Sequence, residues 1–553
     1  MNVTPQRSKR SVDEKPDSSS TEVAKDAAMG PVDDAQYVTG MKLAILAASV
    51  TVVVFLMMTD ASIISTAIPR ITDEFRSLPD VGWYTSIYQL GNAVLQPLMG
   101  KIYSKFSAKA TFLAFFGIFE IGSLICGATT SSTMLIVGRA IAGAGSAGLM
   151  NGALIISASA VPLDKLPSLT GVIMGLSQLG IVFGPLVGGA FTSYTTWRWA
   201  FYINLPIGAV VALAILLLKI PDRCEKPSPL IVLKRLHLEL DLIGFALIAP
   251  AAVQLLLALH WGGSQYAWDS PTIVGLLCGT GGTTLVWLLW NWCGGKEALI
   301  PFSMIKQRTV WSAALTQCFL LTTVYCASFF LPIYFQAVHG ASPMMSGVYM
   351  LASILSQLLM AIVAGVLVER TGYAIPYGMA AGVIGAITNG LYSTLSPTTP
   401  TALWVVYQVV NGIGRGLGMQ MPVLAVQAVL APADLAVGVS IVVFAQSLGN
   451  AIALAVSDAI FEGSLEAELR NRVPQADSAA IITAGATHFR SVVNEWDLPG
   501  VLMAYSIAIG RIFYLGAGVT GLAVFTSLFL GWVDIRKKKK ADRDPEQPET
   551  GSG

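Results

Sequence analysis

Apolar runs long enough to cross a bilayer recur along the chain from Met41 to Trp532, with short polar breaks between them. A spanning helix needs about 20 predominantly apolar residues. The composition agrees with many such helices, because 54% of the 553 residues are hydrophobic and only 12% are charged. Soluble domains carry about 25% charged residues. We therefore expect an all-α, polytopic protein embedded in a lipid bilayer.

The pattern of apolar runs predicts fourteen transmembrane helices. Their ranges are 43–67, 83–103, 109–129, 133–157, 167–190, 199–219, 240–260, 272–292, 311–336, 343–367, 374–394, 401–427, 435–458 and 512–533.

Lysine and arginine are concentrated in the loops on the side of the N-terminal tail and in the C-terminal tail. The positive-inside rule then places both termini in the cytosol. The net charge of +1 gives no reason to expect a nucleic-acid partner.

The predicted domains follow from these helices. We expect a disordered tail at 1–40, a six-helix bundle at 41–219, a linker with two additional spans at 220–310, a second six-helix bundle at 311–535 and a basic cytoplasmic tail at 536–553. The second bundle contains a long external loop at 459–510, to which no function is assigned.

The two bundles repeat each other. Arg139, Gly143 and Gly145 match Gln408, Gly412 and Gly414 at an offset of 269 residues (408 − 139). Gly180 and Gly449 end similar Ser/Gln-Leu-Gly stretches at the same offset. Parallel repeats of this kind build secondary transporters whose substrate site lies between the halves.

One carboxylate lies inside the first apolar span. A charged side chain in hydrocarbon costs several kcal/mol, so in a polytopic protein it usually faces a wet cavity and binds a proton, an ion or a charged substrate. Asp60 is therefore a candidate proton site. Arg139 in the fourth span lies at a matching depth, about 10 Å below the outer boundary at roughly 1.5 Å per residue.

Several motifs resemble those of the major facilitator superfamily, and within it the 14-span drug:proton antiporters and the fungal toxin and multidrug efflux carriers. They are TDASIISTAIPRI, GKIYSKFSAK (motif A), FEIGSLICGA, GRAIAGAGSAG (motif B), GIVFGPLVGG (motif C) and WRWAFYINLPIG. The resemblance implies a fold of six, two and six helices. It also implies proton-coupled export, by alternating access, of small hydrophobic or amphipathic compounds such as a secondary metabolite, a mycotoxin or an antifungal drug.

Motif C comprises Gly180, Gly184, Pro185, Gly188 and Gly189, and in the family it is associated with antiporters. Proline kinks a helix, and glycines at this spacing let neighbouring helices approach closely. Together they predict a bend that gates the cavity. The alternative interpretation is a structural kink with no bearing on direction.

Motif A departs from the family pattern. Gly100, Lys105 and Lys109 are present, but Ser104 stands where the family has an acidic residue, which puts a charge relay at this loop in doubt. The copy in the second half keeps both signs of charge and is predicted to carry the cytoplasmic gate. It comprises Gly365, Glu369, Arg370 and Gly372.

The family fold brings the first and fourth spans together along the central cavity. This implies that Asp60 carries the proton and that Arg139 tunes it, because desolvation favours the neutral acid whereas a nearby guanidinium favours the carboxylate. The alternative is a static ion pair that holds two helices together. Glu120 in the third span is either a second titrating site or cation-binding group, or a neutral acid bonded to a neighbour.

The substrate cavity is expected to be large and lined with aromatic and amide side chains, which suit bulky amphipathic molecules. For each candidate, the alternative role is a hydrogen bond between helices. The candidates are Tyr88, Gln96, Asn151, Gln178, Tyr325, Gln336, Gln357, Gln408 and Gln446. Arg415, also in or near the membrane, has no predicted partner.

No metal-binding cluster, P-loop or nucleophile–base pair is evident. We therefore predict no enzyme and no cofactor, with the proton gradient as the energy source. A monomer in the plasma membrane is expected, with the vacuolar membrane as the alternative. Two other functions stay open: a proton-coupled uptake symporter of the siderophore type, against which motif C argues, and a membrane sensor that has lost transport.

Overall fold

The computed structural model describes residues 37–77, 80–222, 224, 226–263, 265–295 and 297–536. This part of the chain is built from helices and contains no β-strand, so the predicted all-α class is confirmed. The predicted disordered and basic tails lie outside the described residues, apart from residues 37–40 and 536.

Helices cover all fourteen predicted spans. They are α1 (Gly40–Phe75), α2 (Val81–Lys105), α3 (Ala108–Gly127), α4 (Ser132–Ala160), α5 (Leu166–Ser177 and Leu179–Tyr194), α6 (Trp199–Tyr202 and Asn204–Leu217), α7 (Leu242–Trp261), α8 (Pro271–Gly294), α9 (Arg308–Ala337), α10 (Pro343–Tyr349 and Leu351–Thr371), α11 (Ile375–Tyr392), α12 (Thr401–Gly418 and Met421–Val429), α13 (Pro432–Arg472) and α14 (Leu498–Ser527). Short helices at Pro229–Lys234, Leu236–Glu239, Phe302–Ile305 and Ser478–His488 lie in the connections.

Within the described ranges, eleven of these helices are long and apolar enough to cross a membrane. The other three, α2, α11 and α12, are helical but do not meet this combined requirement of length and apolar composition. The protein is therefore built as an integral membrane protein, and the count of fourteen spans stays a prediction.

The segment predicted as an external loop, 459–510, is largely helical. Helix α13 continues to Arg472, beyond the predicted end of its span at residue 458, and α14 begins at Leu498. The charges that suggested a loop pair with one another instead. Glu468 on α13 accepts from Arg472, at 3.0 Å, and from Arg511 on α14, at 2.7 Å. These ion pairs allow both helices to continue past the apolar stretch.

Glycines place equivalent helices of the two halves in equivalent contacts. Gly143 on α4 lies against α2, and its repeat partner Gly412 on α12 lies against α10. Gly145 and Gly414, two residues further on, lie against α3 and α11. At all four positions an added Cβ would come within 3.0 Å of the neighbouring helix. The repeat seen in the sequence is thus present in the helix packing.

The two halves also meet through a second pair of repeated glycines, at the end of the bundles that is predicted to be cytoplasmic. An added Cβ on Gly100 of α2 would lie 2.9 Å from the Val437 Cα on α13. A Cβ on Gly365 of α10 would lie 2.6 Å from the carbonyl oxygen of Pro167, in the first turn of α5. Backbone contact this close can form only where side chains are absent. The halves are therefore closed against each other at this end.

Candidate functional site

Asp60 and Arg139 form a buried ion pair between α1 and α4. The Arg139 Nη1 atom lies 2.6 Å from the Asp60 Oδ2 atom, and neither side chain is exposed to solvent. The same nitrogen lies 3.4 Å from the Asp60 backbone oxygen. A charge-assisted hydrogen bond of this length is among the strong ones in proteins. The structure thus brings together the two residues that the sequence placed at equal depth.

Two further contacts join the Arg139 guanidinium to α2, while its Nη2 atom is buried and has no hydrogen-bond partner among the described residues. Its Nε donates to the Tyr84 carbonyl oxygen at 3.0 Å, and its Cζ lies 4.3 Å from the centre of the Tyr88 ring, a cation–π contact. The hydroxyl of Tyr88 donates to the Met57 carbonyl oxygen on α1 at 3.4 Å. Tyr88, predicted as a cavity residue, therefore also orients the ion pair.

Asn204 is a part of this site that the sequence analysis missed. It begins the second segment of α6, and its Nδ2 lies 3.4 Å from the Asp60 Oδ1 and 3.1 Å from the Ser123 Oγ on α3. The side chain is 1% exposed. A signal was present, because Asn204 is an amide inside the otherwise apolar stretch that follows Trp199.

Glu120 on α3 stands apart from the ion pair. Both of its carboxylate oxygens are buried, and neither has a hydrogen-bond partner among the described residues. The carboxylate lies against Gly208 of α6, where a larger residue would collide with it. The predicted hydrogen bond to a neighbour is absent from these contacts, and the proposed titrating role stays a prediction.

The motif C glycines lie directly against the part of α1 that carries Asp60. Gly180, Gly184 and Gly188 recur every four residues on one face of α5, and the Ser62 Oγ donates to the Gly180 carbonyl oxygen at 3.3 Å. An added Cβ on these glycines would come within 2.5, 2.9 and 2.8 Å of the backbone oxygens of Phe55, Thr59 and Ile63, respectively. Gly189, in contrast, faces open space.

Helix α5 passes this contact as two segments that join at Gln178. The Gln178 backbone stays in the right-handed helical region, with φ −63° and ψ −23°, and the residue is 7% exposed. Pro185 lies inside the second segment, and proline removes a helix hydrogen bond and favours bending. Gln178, a predicted cavity residue, is therefore buried where the two segments join.

The motif A lysines bind the connection between α6 and α7. The Lys105 Nζ lies 2.5 Å from the Glu239 Oε2. The Lys109 Nζ donates to the carbonyl oxygens of Leu216 and Leu218 at 2.8 and 2.6 Å. Motif A lacks the acidic residue that the family has at position 104, and its lysines instead contact acceptors outside the motif.

The second copy of motif A joins α10 to α5 and to the C-terminal segment. The carboxylate of Glu369 accepts a hydrogen bond from the Ser168 hydroxyl on α5. The Arg370 carbonyl oxygen accepts from the Arg536 Nη1 at 2.7 Å. Gly372 ends α10 with φ at 83°, in the left-handed region that favours glycine. The predicted gate residues thus lie at the contact between the halves that Gly365 makes with α5.

Five of the predicted cavity residues are held by bonds between side chains. The Asn151 amide donates to the Gln96 Oε1 between α4 and α2. The remaining bonds are from Gln317 to Gln446 at 3.2 Å, from Gln336 to the Ser346 hydroxyl at 3.1 Å and from Gln357 to the Met419 sulfur at 3.3 Å. These side chains contribute to helix packing.

Tyr325 and Gln408 differ from that group. Tyr325 on α9 is partly exposed, and it lies within electrostatic range of Tyr88 in the other half. Gln408 is fully buried, and neither its Oε1 nor its Nε2 has a partner among the described residues. It occupies the repeat position of Arg139, so the second half has an uncharged amide where the first has its paired cation.

The described residues contain no group of three or more His, Cys, Asp or Glu side chains that could hold a metal ion. The site is therefore an ion pair enclosed by four helices, with a tyrosine of the opposite half close by. Such an arrangement is suited to binding a proton within the membrane.

Comparisons with known proteins agree with this architecture. The Major Facilitator Superfamily model matches residues 50–454. The MFS-type transporter pigP of Monascus ruber is 50% identical over 535 residues, which cover 97% of this chain and 93% of the relative. The efflux pump mlcE of Penicillium citrinum is 48% identical over 519 residues, which cover 92% and 94% of the two chains.

A solved structure shares the fold. A crystal structure of a double tryptophan mutant of XylE superimposes with a TM-score of 0.58 at 13% identity, over 91% of this chain and 98% of that chain.

Proposed function

The chain belongs to the major facilitator superfamily, and we propose that it is a proton-coupled exporter of small hydrophobic or amphipathic compounds. The observation that carries the proposal is the fully buried ion pair of Asp60 and Arg139 between α1 and α4. The name of one relative, the efflux pump mlcE, supports export over uptake. In this proposal the exported compound is a fungal secondary metabolite, such as a mycotoxin, or an antifungal drug.

Proton coupling follows from the chemistry of the pair. As a carboxylate, Asp60 binds the Arg139 guanidinium at 2.6 Å. Protonation removes the negative charge, so the strong attraction between α1 and α4 is lost. The proton-bound and proton-free states then favour different arrangements of the two helices. A ligand shifts a conformational equilibrium only by binding one state better than the other, and here the proton is that ligand.

Helix α5 connects this pair to the cytoplasmic contact of the halves. Its second segment lies against α1 through Gly180, Gly184 and Gly188, while the start of its first segment meets Gly365 on α10. Movement of α1 therefore displaces α5, and displacement of α5 opens or closes the cytoplasmic contact. Gln178, where the two segments of α5 join, lies between these two contacts and provides the hinge about which α5 bends.

The protein works as a monomer in the plasma membrane. The inward proton gradient supplies the energy, because protons enter the cell as the compound leaves it. Tyr88 and Tyr325 border the cavity between the halves, because they lie within electrostatic range of each other from opposite sides. Aromatic walls suit bulky apolar compounds.

Transport by sealed inside-out vesicles tests the proposal. The lumen is made acidic, fluorescent hydrophobic compounds are added outside, and wild type is compared with Asp60→Asn. We expect the wild type to accumulate compound only with the gradient, and Asp60→Asn to match vesicles that lack the protein. Asp269→Asn, at an exposed aspartate between α7 and α8, is the matched control and retains transport. Normal gradient-driven uptake by Asp60→Asn would refute the coupling role.

A further inference from the structure

Arg415 on α12 is a buried cation without an anionic partner. Its residue is 9% exposed, and it forms no ion pair with any described Asp or Glu, in contrast to Arg139. Its Nη1 lies 3.4 Å from the Ser353 hydroxyl on α10, a weak contact. Its Nε is buried and has no partner among the described residues.

Such an arrangement is unfavourable unless something compensates for it. The guanidinium stays charged in proteins, and burying a charge without a partner carries a large free-energy cost. Charged residues inside a membrane protein face the bundle interior or a cavity, and they mark the paths of substrates and ions. Arg415 therefore has donors available for an anion that comes from outside the chain.

The surroundings of Arg415 can accommodate such an anion. The Tyr392 hydroxyl on α11 is buried and has no partner among the described residues, so it offers a further donor. A cavity of about 10 Å³ adjoins the guanidinium, bordered in part by Thr323, Asn411 and Thr520. A cavity of that size is just large enough for a water molecule.

Arg415 is also linked to the space between the halves. Tyr325 lies within electrostatic range of Arg415 on one side and of Tyr88 on the other. Tyr88 in turn stacks under the Arg139 guanidinium. The two tyrosines thus connect the surroundings of the two intramembrane arginines.

We propose that Arg415 is the anion-binding subsite of the substrate cavity and that the transported compound is an amphipathic carboxylic acid. A guanidinium matches a carboxylate with two parallel hydrogen bonds, here from the Nε and an Nη atom. The apolar part of the acid lies against the tyrosines of the cavity. This inference rests on the proposed export function and specifies the chemical class of the substrate.

Binding to the purified full-length protein in lipid nanodiscs tests the inference. The probes are dansyl-aminoundecanoic acid and its methyl ester, which differ only in the carboxylate, and the signal of empty nanodiscs is subtracted. We expect wild type to bind the acid more tightly than the ester. Arg415→Gln weakens binding of the acid about 10- to 100-fold, which corresponds to the free energy of hydrogen bonds to a charged group. The same variant leaves the affinity for the ester unchanged.

Two further variants separate charge at this site from charge elsewhere. Arg415→Lys keeps a point charge without the planar fork, so its acid affinity falls between those of wild type and Arg415→Gln. Arg308→Gln removes an exposed arginine at the cytoplasmic start of α9 and keeps the full preference for the acid.

Three results would overturn the inference. They are equal wild-type affinity for acid and ester, no binding of either probe, and an Arg415→Gln variant that retains the preference for the acid. The binding measurement needs no proton gradient. If the acid preference depends on Arg415 but vesicles show no gradient-driven transport, the proposed export function fails while the anion subsite stands.

Discussion

Each half of this protein contains a buried arginine, and the two arginines differ in whether a described carboxylate lies beside them. Arg139 in the first half has a carboxylate at 2.6 Å and a backbone oxygen at 3.0 Å. Among the described residues, the one hydrogen bond of the Arg415 side chain in the second half is to the Ser353 hydroxyl, at 3.4 Å. The helices around the two arginines occupy equivalent places in the repeat. The first half therefore pairs its cation with a carboxylate, and the second half has no described carboxylate beside its cation.

The interface between the first and fifth helices of each half differs as well. At an offset of 269 residues (449 − 180), Gly184 and Gly188 of α5 correspond to Ala453 and Ser457 of α13. The glycines bring α5 against the backbone of α1. The Ser457 hydroxyl instead lies 3.3 Å from the Cys326 sulfur on α9, a contact between side chains. The first half thus has close backbone contact beside the ion pair of Asp60 and Arg139.

The contrast between the arginines predicts different costs of removal. Arg139→Gln leaves Asp60 buried without its partner, so it destabilises the protein by about 3–5 kcal/mol. Arg415→Gln breaks no ion pair, so stability stays near wild type or rises. Thermal unfolding of the purified protein, followed by tryptophan fluorescence, measures both variants.

A double variant checks the cause. Asp60→Asn combined with Arg139→Gln removes both charges and recovers part of the loss, because no unpaired ion remains. If Arg415→Gln proved as destabilising as Arg139→Gln, the contrast drawn between the halves would be wrong.

Exchanging residues between the two halves tests the difference at the interface of the first and fifth helices. Gly184→Ala gives the first half the residue of the second, and the added Cβ would lie 2.9 Å from the Thr59 oxygen. Overpacking of this kind costs about 1–3 kcal/mol, and we expect gradient-driven uptake into vesicles to fall with it. Ala453→Gly, the reverse exchange, costs about 1 kcal/mol through helix propensity and leaves transport largely intact.

Gly189→Ala serves as the control for this exchange, because an added Cβ there meets nothing within 4 Å. It should transport at the wild-type rate. Equal losses for Gly184→Ala and Gly189→Ala would show that helix flexibility, rather than the contact with α1, is what the glycines provide.

The smallest effect on stability is expected at the partly exposed ion pair of Lys105 and Glu239. The hydrogen bond from Lys105 lowers the pKa of the Glu239 carboxyl. The pair therefore stabilises the folded protein above the unfolded pKa of about 4.3, and this contribution is lost as the pH falls through the lower folded pKa. A surface pair of this kind contributes at most about 1 kcal/mol.

A double-mutant cycle with Lys105→Ala and Glu239→Ala, read as thermal stability at neutral and at acidic pH, measures this term. We expect a small coupling at neutral pH and a smaller one in acid. A coupling that grows as the pH falls would contradict the assigned ion pair.

Apolar runs predicted the helices, because exposure to lipid selects apolar side chains along the whole length of a span. The pairing of Asp60 with Arg139 was also predictable, since both lie at one depth and the resemblance to the family implies that the first and fourth spans are neighbours. The helical extension of α13 was not, because it depends on Glu468 meeting Arg511, and hydropathy does not report contacts between residues so far apart in the chain. Asn204 was missed for the same reason.

The separation of the ion pair along the chain has a consequence for biosynthesis. Asp60 and Arg139 are 79 residues apart. A ribosome adds about 5–20 residues each second, so Asp60 is made about 4–16 seconds before its partner. During that interval Asp60 has no guanidinium partner, and a carboxyl group buried without one is favoured in its protonated, neutral form. The first helix therefore enters the membrane with a neutral acid, and the ion pair forms only when α4 arrives.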